Sequence, residues 1–153
     1  MPNPFETLFA DSFDTFRVFD KLTISEIDNP PAHSPKTIWQ IINHLTAWQV
    51  HQLKQLRNIH DNLLIGEDAT WIDNTNASTQ ADLDSRVNLL DEQLAGLKAE
   101  IQKFNMADAD IMQKLKLVQD LSVHLSFHVG EVVLMRRMTG NYPLPHQMKD
   151  FLG

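Results

Sequence analysis

The sequence predicts an all-α fold, an up-down-up-down four-helix bundle in a single domain over residues 1–153. Three observations carry that reading. Four long segments place apolar residues at three- and four-residue steps, the period of one helical face. Short breakers separate them. Only five glycines occur in 153 residues, and none form a phosphate-cradling loop.

The first helix is predicted over roughly residues 4 to 21, where Phe5, Leu8, Phe9, Ser12, Phe13, Phe16 and Phe19 make one stripe. Core packing accounts for those phenylalanines without invoking a cofactor pocket. Asn29-Pro30-Pro31 then interrupts any helix, because each proline lacks an amide donor and restricts the residue before it. Ser34-Pro35 reads as a restart, with Ser34 as N-cap and Pro35 in the first helical position. The second helix runs to about His60 along Ile38, Ile41, Ile42, Leu45, Trp48, Leu53 and Leu56.

Residues 61 to 78 form a polar connection carrying Gly66 and Trp71, and loops of this length often lie over a site. The simplest reading of Trp71 is burial for packing. The third helix opens at Thr79-Gln80-Ala81-Asp82, a capping box with Asp in the usual Glu position. Its stripe of Leu83, Val87, Leu90, Leu94, Leu97, Ile101 and Phe104 keeps the 3.5-residue period of shallow bundle packing. After a short stretch from Met106 to Lys116, the fourth helix is predicted from Leu117 to Met138. Gly140 ends it in a left-handed cap, and Pro143 and Pro145 are expected to keep the tail from resuming a helix.

Composition excludes several functions. Cysteine is absent, which removes disulfides, thiolate catalysis and cysteine-based zinc sites, and fits a reducing cytoplasm. The net charge of −7 and the scattered basic residues disfavour nucleic acid and anionic membrane as partners. No apolar run reaches the roughly 18 residues of a membrane span, and the N-terminus lacks the features of a signal peptide. Ser122 and Ser126 alternate around the fourth helix without the geometry of a nucleophilic triad.

Any transition-metal site must therefore use histidine and carboxylate, and seven histidines are available. His124 and His128 stand one turn apart on the inward stripe of Leu121, Leu125, Val132 and Met135. Alone, this spacing also fits one exposed histidine and one hydrogen-bonded in the core. His44, at the edge of the second helix's seam, supplies a third imidazole able to face the pair across the bundle. Three histidines with open positions is the pattern of a reactive rather than a structural metal site. His51 shares the face of His44 two turns along, as a support to the ligands, a substrate contact or a partly exposed surface histidine. Asp120 and Glu131 flank the pair, to orient an imidazole, to act as a base on metal-bound water, or as simple solvated charges, the reading that suits Asp120 better. His33, His60 and His146 read as solvated.

The segment Trp39-Gln-Ile-Ile-Asn-His44-Leu, joined to His124-Leu-Ser-Phe-His128-Val-Gly-Glu131 and the ending Met138-Thr-Gly140-Asn-Tyr-Pro143-Leu-Pro145, resembles the DinB-like family. That superfamily includes the YfiT-like metal hydrolases and several thiol-dependent S-transferases. The resemblance spans the whole chain and implies a divalent ion, commonly nickel or zinc, on His44, His124 and His128. It also implies a homodimer and a reaction on a small molecule, hydrolysis or thiol transfer, with Glu131 or His51 as catalytic base. Many members follow the last ligand with Arg-Gly-Gln, where this chain has Val129-Gly130-Glu131. The alternative is a non-catalytic metal-binding bundle, related to stress or to small-ligand binding.

Overall fold

The computed structural model describes residues 3–13, 16–60, 66–71, 77 and 79–153. Every regular element among them is helical. They are α1 (Pro4–Leu8), α2 (Ile24–Asp28), α3 (Ile38–Leu56), α4 (Glu67–Thr70), α5 (Gln80–Ile101) and α6 (Ile111–Met138). A 3₁₀ turn at Pro145–Gln147 then leads into α7 (Met148–Leu152). The all-α expectation holds. No helix among the described residues is long and apolar enough to cross a membrane.

α3 starts three residues later than Ser34-Pro35 suggested. Thr37 is the N-cap: its hydroxyl accepts from the Gln40 amide and Gln40 Oε1 accepts from the Thr37 amide. This capping box satisfies two otherwise orphaned donors, which proline at a helix start does not do. α3 also ends before His60. Asn58 takes a left-handed conformation (φ 56°), and the amides of Asn58 and Ile59 bond back to the carbonyls of Gln55 and Lys54. The same closure ends α6 at Gly140 (φ 76°), as the sequence indicated.

α5 begins where predicted, with the Thr79 hydroxyl accepting from the Asp82 amide. Its leucines at 83, 90, 94 and 97 are buried, and α3 packs on both α5 and α6. α6 starts six residues before the predicted Leu117. Residues 111–116 contain no breaker, and Ile111 and Leu115 extend the stripe that continues at Val118.

The N-terminal segment departs most from expectation. It is helical over Pro4–Leu8 only, and the rest of its described residues run in turns, with Arg17 and Lys21 left-handed. Three of its carbonyls accept from distant donors. Arg136 on α6 donates Nη1 to the carbonyls of Val18 (2.6 Å) and Asp20 (3.1 Å), and the Tyr142 hydroxyl donates to that of Phe16. Arg136 Nε also pairs with Glu26 Oε1 at 2.8 Å, inside the protein. Phe5, Phe13 and Val18 still reach the core, while Phe16 stays exposed. The tail resumes helix after all: Pro145 occupies the first position of the 3₁₀ turn, where a missing amide costs nothing, and α7 follows.

Candidate metal centre

α3 and α6 bring the predicted histidines together. His44 is buried on α3, and α6 presents His124 and His128 from consecutive turns. The ring centroids lie 5.0 Å (His44–His124), 4.8 Å (His44–His128) and 4.7 Å (His124–His128) apart. One nitrogen from each ring falls within 4.8 Å of the other two. His44 Nε2 and His124 Nε2 are 3.0 Å from each other.

Hydrogen bonds on the far nitrogens set the tautomers. His44 Nδ1 is 2.7 Å from Thr70 Oγ1, whose own proton goes to the Glu67 carbonyl. The hydroxyl must therefore accept from His44 Nδ1–H, which leaves a bare lone pair on Nε2. His128 Nδ1 is 2.7 Å from Glu131 Oε2, and an ionised carboxylate only accepts, so Nε2 is again the lone-pair nitrogen. With His44 Nε2 bare, the 3.0 Å contact is a bond from His124 Nε2–H. A cation on this spot would take the place of that proton.

The electrostatics point the same way. The pKa of His44 is pulled down to about 3, first by burial, then by the neighbouring charges of His128, His124 and Lys36. That of His124 is lowered by burial and by His128. Both rings are neutral at pH 7, the state that coordination needs. Three imidazoles, two of them oriented by outer hydrogen bonds, form a donor set suited to divalent transition metals rather than to oxygen-seeking calcium or magnesium. Three histidines this close can hold a metal ion.

Aromatic rings enclose the cluster. Trp71 lies flat on His44, Trp48 turns an edge to His44 and His124, and Phe127 packs on His128 at 5.0 Å. Lys36 Nζ sits 4.7 Å over the Trp71 ring.

Of the other residues singled out by sequence, Glu131 is at the site through its bond to His128. His51 is not in the cluster; its ring packs against Trp48, 6.3 Å between centroids. Asp120 is an exposed charge paired with Lys116 at 2.8 Å. His33, His60 and His146 are exposed. Most of the connection over 61 to 78 lies outside the described residues, but α4 and Trp71 within it reach the site. Thr70 had no sequence signal, because a threonine 26 residues from its histidine is marked by no spacing rule. No protein-family model, no curated protein and no solved structure matches the chain.

Proposed function

We propose that this protein is a metal-dependent enzyme of the DinB-like kind, holding one divalent ion, nickel or zinc, on His44, His124 and His128 and acting on a small molecule. The observation that carries this reading is the convergence of three imidazoles, with the outer nitrogens of His44 and His128 tied to Thr70 and Glu131. When bound, the ion supplies Lewis acidity that lowers the pKa of a small nucleophile, water for hydrolysis or a thiol for transfer.

The chain's own residues do the rest. Thr70 and Glu131 hold two rings in register. Glu131 accepts from His128 Nδ1 and so acts on the site by orienting that ring. Trp71 and Trp48 keep bulk water from the faces of the rings. In the bundle we infer, α3, α5 and α6 are three of the four elements and the N-terminal segment takes the place of the fourth. The outward face of α6, where Val123, Phe127, Leu134 and Met138 are each at least 60% exposed, is our candidate for a homodimer contact.

Elemental analysis of untagged protein tests the site: one equivalent of a single transition metal is expected, and less than a tenth of an equivalent in His44→Ala. Less than a tenth in the wild type overturns the reading. On cobalt-loaded protein, a low-molecular-weight thiol that shifts the visible spectrum identifies thiol transfer, and turnover of an activated ester without thiol identifies hydrolysis. Burial of His44 and His128 beneath Trp71 favours a second reading, a non-catalytic metal holder. Full metal occupancy with neither response would establish it.

A further inference from the structure

A second feature of α6 lies on a strip distinct from the histidines. Beside Val129 and Val133 is a cavity of about 550 Å³, the size of pockets that hold small organic molecules. Leu94 of α5, Leu152 of α7 and Phe19 of the N-terminal segment complete an apolar wall. The described residues from Phe9 to Lys21 run in turns, so no helix from that segment fills the strip.

The rim presents no uncompensated charge of either sign. Its charged residues are Asp11, Asp20, Asp91 and Arg137. Asp11 and Asp91 have partners of their own. Arg137 keeps its charge, although its Nε donates to the Pro143 carbonyl at 2.8 Å and its guanidinium lies over the Tyr142 ring. Asp20 offsets it. Both act on the Tyr142 hydroxyl, whose pKa is raised first by burial, then lowered by Arg137 and Arg136 and raised by Asp20. An ammonium would meet the guanidinium, a carboxylate would meet Asp20, and either would lose hydration against the apolar wall. An uncharged molecule meets neither obstacle.

Two hydroxyls add a polar point to that wall. Half-buried Ser122 and exposed Ser126 stand one turn apart on α6 and both line the cavity. Neither hydroxyl has a hydrogen-bond partner among the described residues. Each can donate and accept, which suits an alcohol, a ketone or an amide.

We propose that this cavity binds an uncharged amphiphilic small molecule, an alkyl or aryl body against the apolar wall with one alcohol, ketone or amide group on Ser122 and Ser126. The site is independent of the three histidines and stands whether or not they carry a metal.

The test is fluorescence titration of the full chain with N-phenyl-1-naphthylamine at neutral pH, displaced by decanol, decylamine or decanoate. One saturable equivalent of probe per chain is expected, with decanol displacing it at a concentration at least tenfold below either ion. Replacing both hydroxyls, Ser122→Ala with Ser126→Ala, should raise the decanol concentration needed by roughly 3- to 10-fold and leave probe affinity unchanged. Val133→Trp should weaken probe binding at least tenfold while helical circular dichroism and metal content stay unchanged. Should that variant fail to fold, Gly130→Leu serves instead: this lining residue's added Cβ meets nothing within 4 Å, and leucine is the better helix former. Probe uptake that does not saturate, binding undiminished in a folded filling variant, either ion displacing as well as decanol, or decanol indifferent to the loss of both hydroxyls overturns the proposal.

Discussion

Trp71 stacks on His44 with 3.9 Å between ring centroids and 8° between planes, the one parallel ring pair in the cluster. Its neighbour Thr70 bonds the same imidazole at Nδ1. Two consecutive residues thus fix the plane and the tautomer of one histidine, and α4 is the element that delivers both.

Removing the stack should loosen His44 without unfolding the chain. A buried aromatic contact contributes about 0.5–1.5 kcal/mol beyond its area. Trp71→Ala is therefore expected to weaken metal binding about threefold to tenfold, measured by competition with a chromogenic chelator. Trp71→Phe should retain most of the affinity. Equal affinity in all three proteins would show that the ring only covers the site.

The hydroxyl of Thr70 tests the tautomer. Thr70→Val keeps the shape but removes the acceptor for His44 Nδ1–H, and loss of such an outer partner typically lowers metal affinity by about 10- to 100-fold. Thr70→Ser should restore it. If valine binds metal as well as threonine does, the hydroxyl does not set the ring.

Acid should destabilise the metal-free protein in a defined window. The folded pKa of His44 lies at about 3, below the 6.5 of a free imidazole, and that of His124 is also lowered. Between those values the unfolded chain binds more protons than the folded one, so stability falls as pH drops from 6.5 toward 3. Urea midpoints of chelator-treated protein should decrease over this range, and less so in His44→Phe. A midpoint that is flat or rises on acidification contradicts the burial of neutral rings.

The pair Arg136–Glu26 should matter to stability rather than to metal. Both side chains are 5% exposed, and Arg136 also holds the carbonyls of Val18 and Asp20. Truncating one partner of such a pair leaves a buried charge and costs about 3–5 kcal/mol. Arg136→Met should lower the unfolding free energy by that amount, and adding Glu26→Leu should recover part of it. Metal stoichiometry at low temperature should be unchanged in both. Loss below 1 kcal/mol for the single variant would mean that the pair is solvated.

Periodicity and capping were enough to place the start of α5, because Thr79, Asp82 and the leucine stripe all act within a few positions of one another, while Phe104 of that stripe lies beyond the helix end at Ile101. The three histidines were legible for a similar reason: one helical turn brings His124 and His128 onto one face, and a seam position aims His44 inward. The start of α3 was misplaced by three residues: Ser34-Pro35 carries start signals of its own, but the Thr37–Gln40 box satisfies two backbone donors.

What the sequence by itself determined, then, is the helical class, the third helix and the three imidazoles, all products of local spacing. The tertiary structure alone decided the rest. The N-terminal stripe had the period of a helix, yet its described residues from Phe9 to Lys21 run in turns, and Arg136 and Tyr142, more than 100 residues away, bond the carbonyls of Phe16, Val18 and Asp20 there. Thr70 and Trp71 gained their roles only when α4 met α3. Their partners lie 26 and 27 residues back along the chain, beyond the reach of any local rule, and only packing of one element on another brings such groups within hydrogen-bond and stacking distance.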